Sequence, residues 1–196
     1  MKITMVLDVV CAHSYIAYTR LARVLRRHRE GGGTAELEFR PFQLAPDAPD
    51  EPEPLLDALR EAFGPGALES ARRIAQAAAR EGLDLRYERA VGANTFHSHR
   101  LIAQAAAQGR AEEMVERLFR AHFTDGLYLG DPEVLARLAE EAGVTVSEGG
   151  EAELRRELES VRALGVRAVP VFEFEGGPTL TGEQSEEAFA AALRAA

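Results

Sequence analysis

The chain holds a single cysteine, and the residues around it could make that cysteine reactive. Cys11 closes the apolar run Ile3–Val10 and opens an amphipathic pattern, so a strand would feed a helix at this point. A sulfur placed there meets the unpaired N–H groups and the positive end of the helix, which stabilise an anion. The thiol pKa is therefore expected to fall and its nucleophilicity to rise. His13 would add positive charge when protonated, or equally could be a first-turn residue facing solvent. Ser14 could donate a hydrogen bond to the thiolate, or be an ordinary serine at a helix start. The competing role for Cys11 is that of a small buried hydrophobe. A junction that is partly exposed and positive in potential favours the reactive reading.

A second candidate lies far along the chain, in Val166-Arg-Ala-Val-Pro-Val-Phe172. A Val-Pro bond has only a small trans preference, so a cis bond between Val169 and Pro170 is accessible. A cis turn at the mouth of this strand would present the Val169 N–H and C=O beside Cys11. A bound thiol or extended peptide could pair with them as an added strand does. Alternatively, Pro170 is an edge-strand proline without a role. His97 and His99 are two residues apart, which on a helix sends them to different sides, so they make a poor metal pair. Asp8 is read as hydrogen-bonding backbone at the strand end rather than accepting a proton.

These residues need elements to position them. Ile3–Val10 reads as a strand covered on both faces. His13 to Glu30 is amphipathic and ends at Gly31-Gly-Gly33. Leu37 to Phe42 alternates as a second strand, giving β-α-β and a parallel pair. Ala45 to Pro54 is a linker rich in Pro and Asp. Helices are expected over Leu55–Phe63, Ala67–Gly82, a segment N-capped by Asn94 and running to Gly109, Arg110–Phe123, and one opened by Asp131-Pro132. Leu85 to Tyr87 could be extended. Another helix follows over Glu151–Leu164, then short strands at Ala168–Phe174 and Thr179–Thr181 and a last helix capped by Ser185.

Composition narrows the function. The net charge of −9 and pI near 5.2 argue against nucleic acid and anionic membrane surfaces as partners. A hydrophobic fraction of 46% supports a sizeable core in one domain. A single cysteine allows no internal disulfide and no cysteine-based zinc site. The first apolar run is broken by Asp8, unlike a secretory signal, and no stretch approaches a membrane span. A cytoplasmic location is expected.

Strand, cysteine, helix and a late Val-Pro strand together resemble the DsbA superfamily. Asn94-Thr-Phe-His-Ser-His-Arg-Leu101 and Thr181-Gly-Glu-Gln184 are similar to segments of its FrnE-type branch. The resemblance implies an α/β thioredoxin-like fold with an inserted all-helical subdomain. Residues 1–44 and 148–196 would form the thioredoxin-like part and 45–147 the insert. It implies a thiol–disulfide oxidoreductase with Cys11, His13 and Ser14 as catalytic residues. Val169, Pro170, His99 and Asn94 would bind substrate, with His99 facing the cleft. Ser14 stands where the family has its second cysteine, and a hydroxyl cannot resolve a mixed disulfide. Monothiol exchange follows, in which glutathione or another small thiol is co-substrate and no cofactor is bound. Polypeptide or small-molecule thiols and disulfides would be the partners, and a homodimer is left open. Asp8-Val-Val-Cys-Ala-His-Ser-Tyr15 also resembles the motif of kappa-class glutathione transferases and chromene-carboxylate isomerases. In those enzymes the group at Cys11 would hydrogen-bond a glutathione thiolate without being oxidised. A non-catalytic relative that holds extended peptides is the third reading.

Overall fold

Alternation along the first strand explains how the sheet is covered. In the computed structural model, which describes residues 1–49 and 51–196, β1 is Lys2–Leu7. Ile3, Met5 and Leu7 point into the main core, while Val6 enters a smaller apolar cluster on the other side with Phe42, Val161, Val169 and Val171. A strand with apolar side chains on both faces needs cover on both. Helix α1 (Ala12–Glu30) and helix α8 (Glu186–Ala195) belong to the main core, and helix α7 (Glu151–Ala163) covers the second cluster through Val161.

Strand β2 (Glu36–Pro41) pairs with β1 in parallel, Ile3 opposite Leu37 and Met5 opposite Phe39. Strand β5 (Val171–Phe174) pairs with β1 antiparallel, Met5 opposite Phe172, and β6 (Thr179–Thr181) closes the order β2-β1-β5-β6. The first and late strands thus share one sheet, as expected. The fold is α/β and thioredoxin-like, with a long helical segment between β2 and α7.

That segment contains α2 (Leu55–Phe63), α3 (Ala67–Arg80), α4 (Phe96–Ala106), α5 (Ala111–Arg120) and α6 (Pro132–Glu141). Two sequence expectations hold in atomic detail. Asp131 Oδ1 accepts from Glu133 N at 2.8 Å, and Ser185 Oγ accepts from Ala188 N at 3.2 Å, each capping its helix. Aromatic packing ties the segment to α1. The Tyr15 ring stacks on Phe119 at 4.7 Å, its hydroxyl donates to Glu116 at 3.0 Å, and the Tyr18 hydroxyl donates to the Glu112 carbonyl at 3.1 Å.

Several boundaries differ from the expectation. The Ala45–Pro54 linker ends in a two-residue ladder, β3 (Glu53–Pro54) against β4 (Val91–Gly92); its Asp50 lies outside the described residues. Leu85 to Tyr87 is not a strand. Helix α5 stops at Arg120, and Ala121–Asp125 is a π-helical turn. Gly126 ends that turn at φ 70°, where a Cβ would lie 2.6 Å from the Arg89 carbonyl oxygen, so only glycine fits. The late strand begins at Val171 rather than Ala168, since Pro170 has no N–H to give a ladder.

Candidate active site

Two loops meet at the sulfur. Cys11 is the N-cap residue of α1, with extended backbone at φ −93° and ψ 107°. Its amide donates to the Asp8 carbonyl at 3.0 Å, which makes the tight turn out of β1. The Val169–Pro170 bond is cis. Cys11 Sγ donates to the Val169 carbonyl at 3.6 Å, across 158 residues of chain. Gly182 N donates to the Pro170 carbonyl at 2.8 Å, so the end of β6 holds the loop in place.

The thiol departs from the expectation of a lowered pKa. Cys11 is only 6% exposed, and burial pushes its thiol above the ordinary value. The Ser14 hydroxyl and the backbone N–H groups of Ser14 and His13 favour the thiolate, but desolvation outweighs them, and the Asp8 charge adds to it. Ser14 Oγ is buried and has no partner among the described residues. A thiolate at Cys11 is the acceptor that its hydroxyl lacks. The His13 ring turns to solvent and toward Glu183. That side chain is 51% exposed, and Nδ1 lies 2.5 Å from Glu183 Oε1. Alkylation of Cys11 by iodoacetamide should therefore have its midpoint above the ~8.5 of a free cysteine. His13→Ala should leave that midpoint in place and Ser14→Ala should raise it; a midpoint below ~8 would refute the burial argument.

His99 and Asn94 lie in one structural clamp. His99 is 3% exposed, and its Nε2 lies 2.9 Å from the Phe42 carbonyl and 3.3 Å from Asp8 Oδ1. Both neighbours are acceptors, so Nε2 carries the proton. Asp8 Oδ2 accepts from Leu44 N at 2.8 Å, the backbone role expected for it. Asn94 Oδ1 accepts from Gln43 Nε2 and from Phe96 N, both at 3.0 Å, and its Nδ2 donates to the Pro46 carbonyl at 2.9 Å. The N-cap position itself falls on Thr95, one residue later than expected, although Asn94 still accepts from the first helical N–H. These contacts pin residues 42–46 beside Cys11. They aim neither side chain at the sulfur, which corrects the expectation that His99 faces the cleft. His97, two residues earlier, is exposed, so the two imidazoles do point apart.

Beside Cys11 runs a groove of about 640 Å3 that the sequence reading did not foresee. Val10, Leu44, Tyr87, one stripe of α2 and one stripe of α3 line it. The signal was the i, i+4, i+8 spacing of Leu55, Leu59 and Phe63, which shows an apolar face without saying what that face meets.

A cysteine at a strand-to-helix junction, facing a cis-proline loop at the end of the neighbouring strand of a four-stranded sheet, defines a thioredoxin-like site. The chain belongs to the family of DSBA-like thioredoxin domains, whose model matches residues 2–194. It is similar to the crystal structure of a probable DsbA oxidoreductase from Streptomyces coelicolor, with 27% identity, a TM-score of 0.86, and coverage of 98% of this chain and 88% of that one. The cytosolic disulfide reductase DsbM from Pseudomonas aeruginosa shares the fold at 22% identity and a TM-score of 0.62, covering 99% and 97%. A 2-hydroxychromene-2-carboxylate isomerase does so at 15% identity and a TM-score of 0.70, covering 99% and 95%. No curated protein matches the sequence.

Proposed function

We propose that the protein is a thiol–disulfide oxidoreductase of the FrnE type that works by a monothiol mechanism through Cys11. The observation that carries this is the 3.6 Å approach of Cys11 Sγ to the carbonyl of the cis-proline loop. A disulfide lying along that loop would meet the sulfur. Cys11 loses its proton and attacks one sulfur of the disulfide R–S–S–R. A Cys11–S–S–R bond forms, the R–S–S–R bond breaks, and the leaving thiolate takes up a proton. An external thiol R′–SH then attacks the mixed disulfide, restores Cys11–SH and releases R–S–S–R′. The N–H groups of His13 and Ser14 and the Ser14 hydroxyl stabilise negative charge at Cys11 as it develops. Because burial keeps the resting thiol protonated, the rate is expected to climb with pH through the neutral range. No helix among the described residues is long and apolar enough to cross a membrane. A cytoplasmic protein supplied with glutathione or another small thiol fits this chemistry, and DsbM, a cytosolic relative, has been solved with GSH.

Burial also favours a second reading. A neutral, desolvated thiol can donate a hydrogen bond to a bound glutathione thiolate, as the transferase and isomerase motif implies. Cys11→Ser separates the two. Disulfide exchange in the presence of added thiol should fall to the uncatalysed rate, since a hydroxyl forms no mixed disulfide. Retained exchange in that variant would remove Cys11 from the mechanism.

A further inference from the structure

We infer that the disulfide opened by Cys11 belongs to a small, uncharged, apolar molecule that enters the groove between α2 and α3, and not to a folded protein. The inference rests on the exchange reading above and names its substrate class. Cys11 is 6% exposed and forms part of the groove floor. A disulfide on the surface of a folded protein cannot descend to such a sulfur, whereas a small molecule can. A groove of about 640 Å3 is in the size range of small-molecule sites, roughly 300–1,000 Å3.

The walls are apolar and lack cover. No residue of α2 is fully buried. Leu55, Leu59 and Phe63 form one stripe along it, opposite Ile74 and Tyr87, with Leu44 at the lip. Phe63 is 76% exposed and Leu44 is 49% exposed. Apolar surface of this extent beside a nucleophile gains from an apolar ligand that removes it from water.

Charge decides against an anionic ligand. Besides the His13 imidazole, the charged side chains lining the groove are Glu69 and Arg73. His13 is held by Glu183. Glu69 and Arg73 stand one helical turn apart on α3, and Arg73 makes no ion pair among the described residues, donating instead to Ser70 Oγ at 3.0 Å. Glu69 and Arg73 cancel, so the groove complements a neutral molecule. A dianion would set one carboxylate on Arg73 and the other against Glu69 or the apolar wall, within a chain of net charge −9.

Two chromogenic aryl disulfides test this on the intact protein. One is 4,4′-dithiodipyridine, neutral at pH 8; the other is 5,5′-dithiobis(2-nitrobenzoate), a dianion. Single-turnover rates with Cys11, each divided by the rate with free cysteine, should favour the neutral probe by about tenfold or more. Leu59→Ala and Phe63→Ala, both at exposed or half-exposed positions, should slow the neutral probe by roughly five- to tenfold and leave alkylation by iodoacetamide unchanged. Glu69→Gln should narrow the discrimination. A normalised ratio near one, equal rates in the α2 variants, or faster reaction with the disulfides of native insulin would each overturn the inference. The exchange reading fails separately: a neutral probe that labels Cys11 but is never turned over when dithiothreitol is added sinks that reading and leaves the preference of the groove intact.

Discussion

Ser14→Cys should convert the protein into a dithiol enzyme that resolves its own mixed disulfide, an added thiol then being needed only to reduce the internal disulfide so formed. Ser14 is fully buried in the first turn of α1, three residues after the N-cap Cys11. An i, i+3 pair at a helix start meets the separation that a disulfide requires, with Cα atoms about 4.4–6.8 Å apart. A thiol at this position replaces a buried hydroxyl that has no partner among the described residues at rest, although its donation to the Cys11 thiolate is exchanged for that of a weaker S–H donor. Once Cys11 has formed a mixed disulfide, the introduced thiol would attack it from within the same turn. Intramolecular attack in good geometry far exceeds attack by a millimolar external thiol, so resolution should speed up by about 100-fold or more. In a single turnover without reductant, release of the second 4-thiopyridone from 4,4′-dithiodipyridine would report the gain, since the natural chain keeps that group as a mixed disulfide on Cys11. An inert Ser14→Cys variant, beside a Cys11→Ser variant still active on a glutathione-dependent substrate, would instead support the transferase or isomerase reading.

What the sequence made legible and what it hid follow from the range of each interaction. The approach of Cys11 to Val169 was legible through the family resemblance of two short motifs, since nothing local in either one dictates that β1 and β5 pair with Met5 opposite Phe172. The caps at Asp131 and Ser185 were legible because donor and acceptor are two or three residues apart. The direction of the Cys11 pKa was not. The helix N-terminus is visible in the sequence, but the desolvation that overrides it is set by three-dimensional packing, in which Phe42, Val161 and Val169 cluster with Cys11 from distant parts of the chain. The solvent-facing placement of His13 was one of its two readings, but its partner was hidden, since Glu183 lies 170 residues away. Asn94 and His99 were expected to bind substrate. A motif marks them, however, without telling a ligand contact from a clamp on residues 42–46. The wall formed by α2 needed the fold, because an apolar stripe declares that it meets something and not what.

His122 gave no signal at all in the sequence, yet it should dominate the acid sensitivity of the fold. It sits in the π-helical turn, fully buried, with neither ring nitrogen bonded to any described residue and with the ring edge-on to Phe123 at 4.5 Å. Burial holds its pKa down at about 4, and the Asp8 charge offsets this only in part. The unfolded chain takes up a proton at His122 below about 6.5, while the native state takes it up only near 4. Stability is therefore complete above about pH 6.5 and is lost as the pH falls through that window. The loss reaches roughly 3 kcal/mol by pH 4, at 1.36 kcal/mol per pH unit. Other groups titrate in the same range. Burial raises the pKa of Glu116, and ion pairs with arginines lower those of Glu81 and Glu186. The difference between wild type and His122→Leu removes these shared contributions. Leucine loses the edge contact with Phe123 but leaves no buried polar atom without a partner, so the variant should be close to wild type at pH 7.5. Urea unfolding of both proteins from pH 7.5 to 4 should then show His122→Leu gaining on wild type by about 3 kcal/mol as the pH falls. Two curves that stay parallel over that range would mean that His122 finds a partner for its proton within the native fold.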